Sequence, residues 1–164
     1  MAWVGSTVTA EVLTLLSAPQ GLNACVATLA VAENVTLPPL GPNQLVAQNV
    51  SIDLVERSLD VKYPLVCVYC EKVANQLKEK FRNFSGHALM AIEVRVSQDR
   101  LEGIEDQVQI YLDAVTQVLD QNRGDWGEGM YYAGDYEAAF SPAKRGGQNF
   151  IQVAKLMFKV GVSN

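Results

Sequence analysis

The last third of the chain alternates. Met130, Tyr132, Gly134, Tyr136, Ala138 and Phe140 recur at every second position, and Phe150, Gln152, Ala154, Leu156, Phe158, Val160 and Val162 do so again. A period of two held this long fits pleated strands and not a helix, whose period is 3.6. Between the runs lies Ser-Pro-Ala-Lys-Arg-Gly-Gly-Gln, residues 141–148, whose proline and glycine pair turn a chain. The pattern predicts a long β-hairpin closed by an eight-residue loop, with the rest of the fold packed on it. Tight hairpin turns that only reverse a chain are shorter. Pro142, Lys144, Arg145, Gly146 and Gly147 are therefore candidate contact residues.

The hairpin needs partners, and the preceding sequence supplies them. Residues 86–97 alternate, with Ala88, Met90, Ile92, Val94 and Val96 on one face and Leu89, Ala91, Glu93, Arg95 and Ser97 on the other. This predicts a strand with one wet face. Over residues 99–122, Leu101, Ile104, Val108, Tyr111, Leu112, Val115, Val118 and Leu119 follow three- and four-residue steps, which predicts a helix. Asp99 offers a cap, Glu102 and Glu105 suit the first turn, and Gly124 ends it. Two shorter stripes, Val8-Val12-Leu15-Leu16 and Leu22-Cys25-Val26-Leu29, predict N-terminal helices broken at Pro19-Gln-Gly21. Ser6 or Thr7 would cap the first, and Gly21 or Asn23 would start the second. Three prolines within residues 34–44 predict a connecting loop, residues 45–55 a strand, and residues 56–62 a polar loop. Tyr63-Pro-Leu-Val-Cys-Val-Tyr-Cys70 reads as a buried strand, and residues 71–80 as a short helix or a polar strand.

Strands and helices do not alternate one for one, so a doubly wound parallel sheet is not expected. The expected fold is α/β of the α+β kind. It is a mainly antiparallel sheet with helices packed on it, ending in a long β-hairpin, all within one domain over residues 1–164. The long helix should cover Ile92, Val94, Leu156, Phe158 and Val160. No internal repeat or low-complexity tract interrupts this order.

Composition narrows the function. The net charge of −5 disfavours a surface that holds a polyanion such as DNA. The charged share of 19% is low enough to suggest uncharged exposed surface and self-association. No apolar run reaches the length of a membrane span, and the N-terminal residues do not read as a secretory signal. Asn34, Asn49 and Asn83 head N-x-S/T triplets, read as chance matches. The three cysteines, Cys25, Cys67 and Cys70, are an odd number and are expected to be reduced thiols.

The residues that could carry chemistry each have a plainer reading. Cys67-Val-Tyr-Cys70 has redox spacing, but on a strand positions three apart point to opposite faces, so two small buried hydrophobes are expected. A zinc site needs about four ligands, more than one histidine and these thiols offer together. His87, the only histidine, reads as a strand-edge residue and not a general base. Asp125, Glu128, Asp135 and Glu137 sit in a glycine-rich aromatic stretch without EF-hand spacing, so no metal is assigned to them. Trp126, Tyr131, Tyr132 and Tyr136 suit a core or an interface equally. Asp125, Trp126 and Glu128 are kept as a second candidate contact element. Lys144-Arg145-Gly146-Gly147 lacks the order of a phosphate-binding loop, and Lys78, Lys80 and Arg82 beside Phe81 and Phe84 read as a solvated basic face. No catalytic residue and no cofactor is expected.

A resemblance joins these pieces. Phe81-Arg-Asn-Phe-Ser-Gly86 is followed by Glu93-Val-Arg-Val-Ser, by Asp99-Arg-Leu-Glu-Gly-Ile-Glu105 and the long helix, then by Arg123-Gly-Asp-Trp126 and Gly134-Asp-Tyr-Glu137. Last come Pro142-Ala-Lys-Arg-Gly-Gly-Gln-Asn-Phe-Ile-Gln152 and Ala154-Lys-Leu-Met-Phe-Lys-Val160. Over roughly residues 60–163 this succession resembles neck proteins of tailed bacteriophages, most closely tail-terminator (tail-completion) proteins. The resemblance implies a small α/β sandwich and a non-enzymatic virion protein, assembled in the host cytoplasm. It implies a homo-oligomeric ring, hexameric in the family. The ring caps the tail tube protein, meets the head-completion or connector protein, and has the sheath as a further neighbour. DNA would pass through the ring without specific binding, and no membrane is involved. A head-closure or tube subunit is the nearest alternative. A thiol oxidoreductase or ligand-binding domain is the alternative of another class.

Overall fold

The computed structural model describes residues 3–51 and 61–164. Among these, three helices pack on one face of a curled, mostly antiparallel sheet, and the expected α+β architecture is borne out. The strands are β1 (Leu45–Val46), β2 (Leu65–Asn75), β3 (Ser85–Gln98), β4 (Gly124–Gly127), β5 (Met130–Tyr132), β6 (Tyr136–Phe140), β7 (Lys144–Gly146) and β8 (Asn149–Ser163). The helices are α1 (Val4–Ser17), α2 (Leu22–Ala32) and α3 (Ile104–Gln121). The order across the sheet is β1-β2-β3-β8-β5-β4, with β6 and β7 also paired to β8. Among the described strands, β1–β2 is the one parallel pair.

The C-terminal alternation does form a hairpin, but its loop differs from the expected one. Lys144, Arg145 and Gly146 pair with Ile151, Phe150 and Asn149, so the chain reverses at Gly147 and Gln148. Gly147, at φ +64, supplies the left-handed conformation that a two-residue turn requires. Ser141, Pro142 and Ala143 fall outside the strands on the approach to the tip, where a proline cannot donate to the ladder. The first arm is also divided. Gly134 has φ +109, and a side chain there would meet the Arg123 guanidinium at 2.9 Å, so the chain bends between β5 and β6.

β3 and β8 pair without a register shift from Ser85↔Ser163 to Gln98↔Phe150. Their shared face carries Ala88, Met90, Ile92, Val94, Ala154, Leu156, Phe158 and Val160, all at most 2% exposed. α3 lies over it with Val108, Tyr111, Leu112, Val115, Val118 and Leu119 turned inward, as the stripe predicts. Leu101 does not join the stripe. Gln98 Nε2 donates to the carbonyls of Arg100 and Glu102 (2.6 and 2.7 Å), so the segment turns and the helix starts after Gly103, not at Asp99. The cap of α1 is Trp3, not Ser6 or Thr7, while Gly21 precedes α2 as expected.

β2 runs on through Glu71 and Lys72 to Asn75, which settles residues 71–75 as strand, with a bulge between Cys70 and Lys72. The strand expected over 45–55 is confined to β1 within the described residues. Its remainder from 52, and residues 56–60 of the expected polar loop, lie outside them. The sheet curls until the β4–β5 hairpin faces α1 across a cleft lined by Ser6, Ala10, Thr14, Trp126 and Met130.

Candidate functional site

The two stretches chosen from sequence as contact elements sit at opposite ends of β8. Arg145 and Lys144 flank the turn next to Asn149, whereas Met130, just past Glu128, pairs with Val162. At about 3.3 Å per residue, roughly 40 Å of strand separates them. They do not form one surface, because a long strand carries its two ends apart.

The tip near Asn149 is basic. Lys144 and Arg145 are exposed, and the Arg145 guanidinium rests 5.8 Å from the ring centre of Phe150. At the other end, Asp125 Oδ1 accepts from the Gly127 amide at 2.8 Å, and Gly127, Glu128 and Gly129 all have positive φ. Glu128 is held outward on this tight turn. Trp126 is not a free contact residue. Its Nε1 donates to the Asn122 carbonyl (2.6 Å), and its ring lies 5.5 Å from that of Tyr132, which meets Phe158 edge-on. The indole therefore joins the core to the hairpin.

Two other features were not chosen from sequence as contact elements. In the β2–β3 connection, at the same end as Glu128, Phe81 is 100% exposed and Leu77 is 66% exposed, among Lys78, Lys80 and Arg82. Phe84, three residues later, is 0% exposed. Its amide and carbonyl pair with Asn164. The signal available in the sequence was two phenylalanines in a basic stretch. Nothing in it told which one the sheet would cover.

The second feature is β6. All five of its residues are exposed, including Tyr136 at 40% and Phe140 at 44%. It pairs with β8 from Tyr136↔Phe158 to Phe140↔Ala154, and no described strand lies on its other side. The Ser141 amide donates to the Val153 carbonyl at 2.9 Å. By alternation, Ala139 and Glu137 also bond inward, and the amides and carbonyls of Tyr136, Ala138 and Phe140 point outward.

The sheet face away from the helices is less wet than expected. Tyr69 Oη donates to Glu93 Oε1 (2.9 Å), and Glu93 Oε2 takes Arg95 Nη2 (2.6 Å). Arg95, 2% exposed, also donates to the Val50 carbonyl, and its Nη1 has no partner among the described residues. Lys155 pairs with Glu71 and approaches the Tyr69 ring. This ion network holds the segment around Val50 over the face. Burial pushes the Tyr69 hydroxyl above its usual value, and its bond to Glu93 adds to the effect.

Cys67 and Cys70 do point to opposite faces. Cys67 packs with Leu65 beneath Val46 and Tyr63, whereas Cys70 lies against Gly5 of α1. Burial raises both thiols, which opposes the thiolate that exchange chemistry needs. His87 is held below its ordinary value by partial burial first, then by Lys159, Lys78 and Lys72. Among the described residues, no group of three or more His, Cys, Asp or Glu could hold a metal ion, and no single helix is long and apolar enough to cross a membrane. No family model matches the chain, and no curated protein matches it.

Proposed function

We propose that this chain is a structural ring protein of a tailed-bacteriophage neck, a tail terminator. One rim would seat on the finished tail tube and the other on the head connector. The carrying observation is that β8 holds two chemically different elements at its two ends. A basic tip at Arg145 stands at one end, and the exposed Phe81 and Leu77, with their flanking cations and the acidic turn at Glu128, stand at the other. An adaptor between two unlike partners needs such polarity, and the order of sequence pieces over roughly residues 60–163 that resembles tail terminators supports the same reading.

Charge placement supports passage of DNA. Glu11, Glu33, Glu105, Asp106 and Asp113 lie on or next to the three helices, no Lys or Arg occurs within α1, α2 or α3, and Asp120 is paired with Arg123 just past α3. With the helical layer turned to the lumen, phosphate is repelled and DNA slides without sticking.

Electron microscopy of the purified protein with tail tubes tests the reading. Single rings at one end of each tube are expected. A chain that stays monomeric at every concentration and caps no tube overturns it, and open polymers would favour a tube subunit. Arg145→Glu is a cleaner probe than deleting residues 142–147, since that deletion removes the paired β7. It should leave rings intact and weaken docking of one partner. A Cys67→Ser, Cys70→Ser double variant should assemble normally; loss of function without loss of assembly would favour the thiol-based alternative.

A further inference from the structure

The ring reading leaves open how neighbouring copies meet. Among the described residues, β6 has one unpaired edge. The other long edge of the sheet belongs to β2, where among the described residues β1 pairs with Val66 and Cys67 alone. The Val66 amide donates outward to Gln44 (2.7 Å), so Val68 and Cys70 present their backbone groups on the same side. Past the bulge, the Gln76 amide bonds inward to Ser85, which turns Val73 outward. Beside this edge runs an open groove of about 550 Å³, lined by Gly5, Thr9 and Leu13 of α1, by Val68, Cys70 and Val73 of β2, and at one side by residues 47–49, which follow β1 without pairing to β2.

We infer that β6 of one copy adds antiparallel to the free edge of β2 in the next, which makes one continuous sheet from subunit to subunit. Three observations carry this. First, direction fits. β2 runs opposite to β3, β3 opposite to β8, and β8 opposite to β6, so rotation about a ring axis along the strands brings β6 to β2 antiparallel. Second, faces fit. Tyr136, Ala138 and Phe140 lie in register with Phe158, Leu156 and Ala154 on the helix-covered face. In the joined sheet they pass under the neighbour's α1, into the groove that Val68, Cys70 and Val73 line on that same face. Third, charge fits. Glu137 is in register with Met157 on the opposite face. There the neighbour offers the exposed Lys72, which is in register with Leu89. The contact is heterologous, as a closed ring requires, and main-chain bonds with alternate side-chain pockets are how added strands gain affinity and specificity.

The inference rests on the ring reading, and the experiment separates the two. Wild type, Ala138→Pro, Lys72→Glu, Glu137→Lys and the Lys72→Glu, Glu137→Lys exchange are compared by sedimentation and negative-stain microscopy, with thermal melts as a check on folding. The Ala138 amide points outward, so proline there removes no bond of the chain's own ladder. Rings are expected for wild type and monomers with an unchanged melt for Ala138→Pro. Each single charge reversal should weaken association several-fold, and the exchange should restore it. Should Ala138→Pro misfold, the charge exchange decides alone. Rings that persist in a folded Ala138→Pro overturn the inference and leave the ring reading standing. Glu137→Lys acting while Lys72→Glu does not also overturns it, since β6 then pairs elsewhere, as in a two-fold dimer through β6 itself. Open filaments that Ala138→Pro abolishes support the edge pairing and overturn the ring. A wild type that never self-associates overturns both.

Discussion

The two edges of β8 use the same fifteen residues and end differently. Toward β3 the ladder is unbroken, and the paired side chains beneath α3 are closed to water. Toward the other side β8 meets three short pieces, and the middle one, β6, is exposed at every position. Tyr136, Ala138 and Phe140 alternate as regularly as Ile92, Val94 and Val96 do. What differs is the cover. α3 lies over β3 and β8, while the outer strand β6 stays exposed. Alternation therefore tells which residues share a face, and the placement of the next layer decides whether that face is core or contact surface.

The largest effect should come from breaking the closed side. Leu156 is 0% exposed and stands in register with Ile92. Leu156→Ala removes buried methyl groups and leaves a cavity in a packed layer, so a loss of about 3 kcal/mol in urea unfolding is expected. A loss under about 1 kcal/mol would mean that the layer collapses freely and is not the core.

That core was legible because its elements are long and bounded on one side. The stripe of α3, the alternation of β3 and the second C-terminal run each repeat often enough for one period to win. Legibility failed where a local signal opposed a tertiary one. Pro142 and the Gly146-Gly147 pair read as loop, yet Lys144 and Arg145 still pair with β8, since a strand already fixed along its length extends readily to its tip. Residues 71 and 72 read as helix or irregular strand, yet they continue β2, where Lys155 donates to Glu71. The contact candidates fared likewise. Trp126 suited a core or an interface equally by sequence, and it is held by Asn122 and Tyr132. The exposure of Phe81 and Phe140 depends on what does not lie above them, which no pattern within their own segments encodes.

The cover itself can be loosened next. Tyr111, 0% exposed, donates from Oη to the Pro38 carbonyl at 2.8 Å and fixes α3 to the proline-rich connection. Burial pushes its hydroxyl up to about 12. Tyr111→Phe keeps the ring and strands that carbonyl, so a loss of about 1 kcal/mol is expected in the same unfolding measurement. An unchanged midpoint would show that the connection is not pinned there.

A smaller effect of opposite sign is expected at Asp113, on the same helix. Partial burial first, and Glu33 near α2 second, raise its carboxyl above the ordinary value. The folded chain then keeps a proton where the unfolded chain has lost it, so stability falls as pH rises from the unfolded value, about 3.9, through the raised folded one. Asp113→Asn should melt higher than wild type at neutral pH and equally below about pH 4. A higher melt for the variant at low pH as well would assign the gain to something other than charge.

The smallest effect on folding should come from the open side, where the comparison is sharpest. Phe158 and Phe140 occupy the same face on neighbouring strands, at 2% and 44% exposure. Serine at Phe158 would strip the ring that Tyr132 packs against, whereas serine at Phe140 removes a side chain already half in water. Surface changes of the second kind stay within about 0.5 kcal/mol. Phe140→Ser should therefore unfold with wild type, and the proposed edge pairing, in which the residue fills the neighbour's groove and not its own core, expects its rings to dissociate at higher protein concentration. Equal loss of folding and assembly would place Phe140 with the closed side, and the distinction between the two edges of β8 would then lie in their backbone alone.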